Sequence, residues 1–117
     1  MELTNLHSIS ATEAARLIRD GVVSAEQFVE ACLARIAEID GQVQAWAFLD
    51  RDYAIEQARA ADQLRLSGAP IGSLHGVPVG IKDIFDTADM PTEYGSGIYA
   101  GRTPSRDASV VALLRTA

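Results

Sequence analysis

Lys82 is the only lysine of the sequence, and its type and position suit it to acid–base chemistry. The other nine cationic side chains are arginines, which keep their charge, whereas burial can remove the proton of a lysine. A neutral amine can then serve as a base that activates a nucleophile. Lys82 ends an apolar, glycine-punctuated run, Val77–Lys82, which we expect to be a buried strand beside a glycine-rich loop. Lys82 is therefore the first catalytic candidate.

Lys82 also has a purely structural interpretation. A lysine at the end of a strand commonly packs its stem and extends its amine into solvent, and position alone favours that role. Asp83 could either orient the lysine or cap the turn that follows. Because successive strand residues point to opposite faces, we expect the capping role.

The remaining candidates for chemistry are weaker. Ser96, in Tyr94-Gly95-Ser96-Gly97, is the only serine flanked by glycines, but it lacks the spacing of a nucleophile elbow and evident His–Asp partners. We expect this segment to be a loop that shapes a pocket. His75 has only the distant His7 for company, so no metal site is expected. The single cysteine, Cys32, is expected to be a small core residue.

The composition narrows the classes of partner. The 117 residues are 48% hydrophobic and 22% charged, which is typical of a globular protein. A net charge of −6 argues against a surface for nucleic acid or an anionic membrane. No apolar run approaches the roughly 18 residues of a membrane span, and the N-terminus lacks the features of a signal peptide. We expect a cytoplasmic protein.

Capping residues and periodicity predict the elements that position Lys82. The first helix is capped by Ser10 and ended by Gly21, and the second is capped by Ser24, runs to about Ile39 and is ended by Gly41. A strand Ala45–Leu49 and a helix from Asp50 or Asp52 to Leu66 follow. The chain then continues with the strand Val77–Lys82, a loop Asp83–Arg106, and a helix Ala108–Arg115 capped by Asp107. Trp46 and Phe48 are expected in the core.

These elements predict one α/β domain, residues 1–117, with three parts. Residues 1–67 form a mainly helical lead-in, residues 68–107 carry the lysine strand and a Gly/Pro-rich loop, and residues 108–117 begin a helix. Two short strands do not close a sheet, so we expect this sequence to be the N-terminal part of a larger, truncated domain. The alternative is a complete small α+β domain with a frayed C-terminal helix.

The ordered Gly, Pro, Lys and Asp positions around Lys82 closely resemble the lysine strand of the amidase signature family. The resembling residues are Ser73–Asp83, Asp86-Thr87-Ala88, Pro91-Thr92, Tyr94-Gly95-Ser96 and Asp107–Arg115. This resemblance implies an amide-bond hydrolase with a Ser–Ser–Lys triad on a mixed sheet covered by helices. Lys82 matches the family's catalytic lysine, which works through a bridging serine held by a cis peptide. The resemblance implies no metal or organic cofactor.

The sequence departs from the family pattern in its serines. In the family, both catalytic serines and the oxyanion-hole amides lie in a glycine- and serine-rich stretch downstream of the lysine strand, and this sequence contains no such stretch. We therefore expect the chain to supply one of three catalytic side chains and to be inactive by itself. Gly97 also stands where relatives often carry proline.

Three functional hypotheses follow from these observations. The first is an amidase-type hydrolase of a small carboxamide or related C–N substrate, with Lys82 as base and Tyr94, Gly95 and Ser96 shaping the pocket. The second is a glutamine amidotransferase A-type subunit, which requires partner subunits. The third is a non-enzymatic remnant that acts as an interaction module. Substrate identity and oligomeric state, including a homodimer, stay open.

Overall fold

A computed structural model describes residues 4–117 of the chain. The elements in chain order are a 3-10 turn Leu6–Ser8, helices α1 (Ala11–Arg19), α2 (Ala25–Val43) and α3 (Arg51–Leu66), a 3-10 turn Gly97–Tyr99, and helix α4 (Ser109–Thr116). The chain divides into two compact units, one ending at Pro78 and the other spanning Val79–Ala117. No helix within residues 4–117 is long and apolar enough to cross a membrane.

Side-chain caps begin the three helices of the first unit. The Ser24 hydroxyl accepts a hydrogen bond from the Gln27 amide at 3.0 Å, and the Gln27 side chain accepts one from the Ser24 amide at 2.9 Å. At the starts of α1 and α3, the side-chain oxygens of Ser10 and Asp50 each accept one hydrogen bond, from the amides of Glu13 and Tyr53. These local bonds satisfy amides that the first turn of a helix leaves free. The predicted starts of all three helices are confirmed.

Helix α2 runs past its predicted end. Gly41 lies inside the helix, and the end comes at Gln44, which has a left-handed φ of 53°. Asp40 sets this end, because its carbonyl accepts from the Gln44 amide and its carboxylate accepts from the Ala45 amide, both at 2.7 Å. A glycine inside a helix costs only about 1 kcal/mol, so it did not terminate α2.

An apolar core and one carboxylate join the helices of the first unit. Helices α2 and α3 pack against each other, and Asp62 of α3 accepts hydrogen bonds from the Ala25 and Glu26 amides at 2.7 and 3.0 Å. An acidic group at a helix N-terminus is favoured by the free amides and by the helix dipole. The buried core residues are Leu6, Ala14, Leu17, Ile18, Val23, Ala25, Phe28, Val29, Leu33, Ile55 and Ala58.

The α/β prediction, including the mixed sheet, is wrong for this structure. No strand is present within residues 4–117, and both Ala45–Leu49 and Val77–Lys82 are irregular. A strand is stabilised by a ladder of hydrogen bonds to a neighbour, whereas the Val77 amide bonds only to the Leu74 carbonyl in a turn. Trp46 and Phe48, expected in the core, are 38% and 42% exposed.

Helix α4 begins without the predicted cap. Ala108 occupies the N-cap position, and no side chain bonds to the free amides of the first turn. The carboxylate of Asp107 instead accepts a hydrogen bond from the Ala88 amide at 2.9 Å and forms an ion pair with Arg115 at 2.7 Å. Asp107 therefore ties the loop to the helix rather than capping the helix.

Candidate active site

Lys82 lies on the second unit with its side chain exposed. Within residues 4–117 its amine has no hydrogen-bond or ion-pair partner. The segment before it is not the buried strand that the sequence predicts, since Val79 is 49% exposed. The Lys82 carbonyl accepts a hydrogen bond from the Phe85 amide at 3.1 Å, which closes a turn directly after the lysine. The amine is therefore accessible to a reacting group.

Asp83 connects the lysine to the glycine loop. Its carboxylate accepts hydrogen bonds from the Glu93 amide at 2.8 Å and the Gly95 amide at 3.4 Å, and its carbonyl accepts one from the Tyr94 amide at 3.0 Å. Asp83 does not orient Lys82, but the prediction that it caps the turn directly after it is wrong, because its carboxylate binds the backbone amides of a different turn. That turn begins ten residues further along the chain. Asp83 therefore holds the Tyr94–Gly95 segment close to its own backbone, directly after Lys82.

Tyr94 has an uncommon backbone conformation and three side-chain contacts. Its φ is 56°, a left-handed value that costs an L-residue with a side chain about 1–2 kcal/mol. Its hydroxyl donates to the Asp86 carboxylate at 3.0 Å, the Arg102 guanidinium lies 5.1 Å from the ring centroid, and the Tyr99 ring meets it edge-on at 5.1 Å. The tyrosine ring is thus fixed, although Tyr94 as a whole residue is still 40% exposed.

Asp86 and Arg102 form the charged centre of these contacts. Two guanidinium nitrogens of Arg102 bond to the two carboxylate oxygens at 3.1 and 3.5 Å, a paired geometry that is specific to arginine. The Arg102 guanidinium, followed by the Tyr94 hydroxyl, lowers the pKa of Asp86. The Asp86 carboxylate in turn raises the pKa of Tyr94. Tyr94 therefore stays protonated and serves as a donor, not as a base.

Two buried threonines hold the loop beneath this centre. The Thr87 and Thr92 hydroxyls lie 3.1 Å apart. The Thr87 hydroxyl donates to the Met90 carbonyl at 3.1 Å, and the Thr92 hydroxyl donates to the Phe85 carbonyl at 3.3 Å. Both threonines are at most 3% exposed. Buried hydroxyls are costly unless they are paired, so these bonds make the loop an ordered segment. In the sequence, these threonines stand out only through the family resemblance.

Ser96, His75 and Cys32 have structural roles. The Ser96 hydroxyl accepts from the Ile98 amide at 3.3 Å and caps the 3-10 turn. Nε2 of His75 lies 2.8 Å from the Ala61 carbonyl oxygen. Cys32 is half-buried, and this burial raises the pKa of its thiol. No group of three or more His, Cys, Asp or Glu side chains within residues 4–117 could hold a metal ion.

Comparison with known proteins gives one consistent family. The family model described as Amidase matches residues 27–117. The A subunit of glutamyl-tRNA(Gln) amidotransferase from Thermobifida fusca is 45% identical over 115 residues, and its counterpart from Salinispora arenicola is 43% identical over 115 residues. Each alignment covers 98% of this chain but 23% of the relative, so the chain spans about a quarter of the length of these relatives.

A solved structure gives a similar result in three dimensions. The solved structure is described as an unexpected vestigial protein complex that reveals the evolutionary origins of an s-triazine catabolic enzyme. The match has a TM-score of 0.83 at 30% identity and covers 92% of this chain and 24% of the other. The predicted resemblance is confirmed, and the chain belongs to the amidase signature family.

Proposed function

We propose that this chain contributes the lysine base of an amidase-type hydrolase that cleaves a carboxamide or a related C–N bond. The observation that carries the proposal is the set of hydrogen bonds to Asp83. They hold the Tyr94–Gly95 turn next to the backbone of Asp83, the residue that directly follows the exposed Lys82. Both segments lie within the residues matched by the family model. The exposed amine leaves room for the serine partners of the complete site, whose packing against it would favour the neutral form that base catalysis needs.

The chemistry assigned to Lys82 is proton transfer. A lysine has a reference pKa of about 10.4 and acts as a base only after it loses its proton. In the Ser–Ser–Lys scheme, the neutral amine takes a proton through a bridging serine as the nucleophilic serine attacks the amide carbon. The proton then passes to the leaving amine as the C–N bond breaks, and water hydrolyses the acyl-serine.

Only the base of this scheme is assigned to the chain. Within residues 4–117, no serine hydroxyl is hydrogen-bonded to the Lys82 amine. The serines of the scheme therefore have to be supplied for a functional test. The relatives offer a way to supply them, because the chain aligns with them almost throughout and covers only 23% of their length.

A chimera tests this proposal. Residues 1–117 would replace the aligned segment of the Thermobifida fusca relative, which would be produced with that organism's other subunits and assayed for ammonia release from glutamine. We expect activity that Lys82→Ala and Lys82→Arg each lower by roughly 100-fold or more, because arginine does not lose its proton. Arg106→Ala, an exposed basic position in the same unit, is the control and should retain full activity.

Either of two results would reject the proposal. One is a chimera that folds and assembles with its partner subunits but releases no ammonia. The other is a Lys82→Arg chimera that is as active as the parent. Folding and assembly would be followed by circular dichroism and size-exclusion chromatography, so that a loss of activity could be assigned to chemistry rather than to unfolding.

The second candidate function is that of a glutamine amidotransferase component. It is favoured by the names of the relatives that are 43% and 45% identical to this chain. Co-purification of the protein, expressed from its own gene, with other amidotransferase subunits would support it, together with glutamine-dependent ammonia release. Hydrolysis of simple carboxamides without any partner would instead support a free-standing amidase.

A further inference from the structure

We infer that Tyr94 is the aromatic wall of the substrate site, that Asp86 and Arg102 are its positioning residues, and that the site selects carboxamides bearing a flat ring. This inference rests on the proposed function, because it uses the neighbourhood of Lys82 as the place of reaction. It adds a substrate class and two residues, Asp86 and Arg102, to that function.

The backbone of Tyr94 is the first observation. Among the residues of the second unit other than glycine, only Tyr94 has a positive φ. A bulky aromatic residue in this region is strained, and such strain persists where the surroundings impose it, often at functional sites. The bond from the Tyr94 amide to the Asp83 carbonyl, at 3.0 Å, imposes it here. The chain thus holds an aromatic side chain at a position that suits glycine better.

The side-chain contacts of Tyr94 decide what it can offer a ligand. The hydroxyl is occupied by Asp86, the Arg102 guanidinium lies over the ring, and the Tyr99 ring packs against it in a T-shaped arrangement. The residue is 40% exposed and its hydroxyl is already bonded to Asp86, so the binding that we assign to Tyr94 uses the ring and not a free polar group. Ring surface attracts flat aromatic groups by offset stacking, which strengthens binding beyond the burial of area alone.

Asp86 and Arg102 fix the direction of the ring. Arg102 bonds to both Asp86 oxygens, to the Thr92 carbonyl at 3.3 Å, and through its own carbonyl to the Thr92 amide at 2.8 Å. Thr92 is 1% exposed, so this guanidinium is anchored to the buried part of the loop. A ring held by an anchored cation loses little freedom when a ligand stacks on it, which favours binding.

Ligand titration of the full chain with ¹³C-labelled tyrosine tests the inference. The ligands would be benzamide, cyclohexanecarboxamide and acetamide, with Tyr53 of the first unit as the internal reference. We expect benzamide to shift the Tyr94 ring signals and to bind about 3- to 10-fold more tightly than cyclohexanecarboxamide, with acetamide causing no shift. Equal affinities for benzamide and cyclohexanecarboxamide, or no Tyr94 shift with benzamide, would overturn the inference.

Variants separate the wall from its positioning residues. Tyr94→Leu should abolish the preference for benzamide. Asp86→Asn and Arg102→Gln should weaken benzamide binding while Tyr94 remains present, and Arg102→Lys should restore part of it by returning the cation. If benzamide affinity is unchanged in both Asp86→Asn and Arg102→Gln, these residues do not position the ring. If Tyr94→Leu still prefers benzamide over cyclohexanecarboxamide, Tyr94 does not form the aromatic side of the site.

The same variants distinguish this inference from the proposed function. Lys82→Ala should leave the Tyr94 shifts with benzamide intact, because the lysine is assigned to chemistry and not to ring binding. In protein expressed from its own gene that hydrolyses benzamide, Tyr94→Leu should raise KM about 3- to 10-fold with little change in kcat. Persistent turnover after Lys82→Ala would reject the proposed function alone, and a KM unchanged in Tyr94→Leu would reject the inference alone.

Discussion

Asp83 shows how one side chain organises a site over a distance in sequence. It follows Lys82 directly, yet its three acceptor bonds go to Glu93, Tyr94 and Gly95. Local reasoning assigned it to the turn that directly follows, which is wrong, and it could not give the actual partner turn because the intervening residues carry no periodic signal. The same holds for Asp86 and Arg102, which are 16 residues apart.

Removing the Asp83 carboxylate should loosen the turn that it holds. Asp83→Ala deletes the acceptors of the Glu93 and Gly95 amides, and hydrogen bonds to a charged group contribute about 1.5–3 kcal/mol in partly buried settings. Because the Gly95 contact is long, at 3.4 Å, we expect only about 10-fold faster exchange of these two amides, measured by NMR hydrogen exchange. Asp52→Ala, at an exposed position of α3, is the control, and equal exchange rates in both variants would contradict the assignment.

Candidate residues could be chosen from the sequence, whereas the contacts that surround them could not. Lys82 and the Tyr94–Ser96 loop follow from a motif, and both lie in the second unit. The buried threonine pair, Thr87 and Thr92, could not be predicted, because hydroxyl residues in a glycine-rich stretch usually indicate a solvated loop. The exposure of Lys82 also differs from prediction, because the buried strand expected before it is not formed.

Helix starts were predictable because their signals are local. Each cap is local: the side chains of Ser10, Ser24 and Asp50 accept hydrogen bonds from backbone amides only three residues further along the chain. The strands were not predictable in this way, because an apolar run becomes a strand only where a partner supplies hydrogen bonds. Helix ends were intermediate: Gly68 follows α3 as expected, with a φ of 77°, whereas Gly41 continues α2.

The turn at Gly76 should tolerate no side chain. A Cβ atom there would lie 3.0 Å from both the Ala25 Cβ and the Ile18 Cγ2, and the φ of Gly76 is 81°. We expect Gly76→Ala to lower the free energy of unfolding by about 2–4 kcal/mol, combining left-handed strain with overpacking.

Gly68→Ala is the matched control for this prediction. Gly68 has a similar φ of 77° but nothing within 4 Å of an added Cβ, so it should lose only the backbone contribution of about 1–2 kcal/mol. Urea denaturation of the two variants measures the difference. Equal destabilisation would show that the contacts to Ala25 and Ile18 do not matter.

Asp62 should stabilise the junction of α2 and α3. Asp62→Asn keeps the size of the side chain but removes the charge that accepts the Ala25 and Glu26 amides. We expect a loss of about 1–2 kcal/mol, as for other helix N-caps, measured by thermal or urea unfolding. Glu56→Gln, on the same helix but exposed, should change stability by less than about 0.5 kcal/mol. A similar loss in both variants would contradict this role for Asp62.

At the scale of the whole molecule, the two units are held by different interactions. The first has a continuous apolar core built from its helices and the first 3-10 turn. Both units contain ion pairs, but in the first most lie within one helix or at its end, whereas in the second they join separate segments: Asp86–Arg102, Asp89–Arg115 and Asp107–Arg115. Apolar burial depends little on pH, whereas these pairs require ionised carboxylates. The units should therefore respond differently to acid.

Acidification should weaken the second unit before the first. Arg102 lowers the pKa of Asp86, and the Ala88 amide followed by Arg115 lowers the pKa of Asp107. A lowered carboxyl pKa gives stability that is present above the ordinary value of 3.8 and is lost as pH falls through the folded-state value. The measurement is hydrogen exchange, analysed separately for the two units. When the pH is lowered below about 4, we expect the protection factors of residues 79–117 to decrease before those of the unit that ends at Pro78.

The variant Asp86→Asn with Asp107→Asn is the control for the acid response. It should lower protection in residues 79–117 at neutral pH and flatten the pH dependence there. An unaltered acid response in this double variant, or simultaneous loss of protection in both units of the parent chain, would show that these carboxylates are not responsible.

Lys82 offers the most direct test of the central claim, that this chain supplies the base of an amide-hydrolysing site. The measurement is the rate of ammonia release by the folded, assembled chimera that carries residues 1–117, comparing the parent with Lys82→Arg and with the Arg106→Ala control. We predict a fall of roughly 100-fold or more for Lys82→Arg and none for Arg106→Ala. A Lys82→Arg chimera with the parental rate would contradict this claim, because a permanently charged side chain cannot accept the serine's proton.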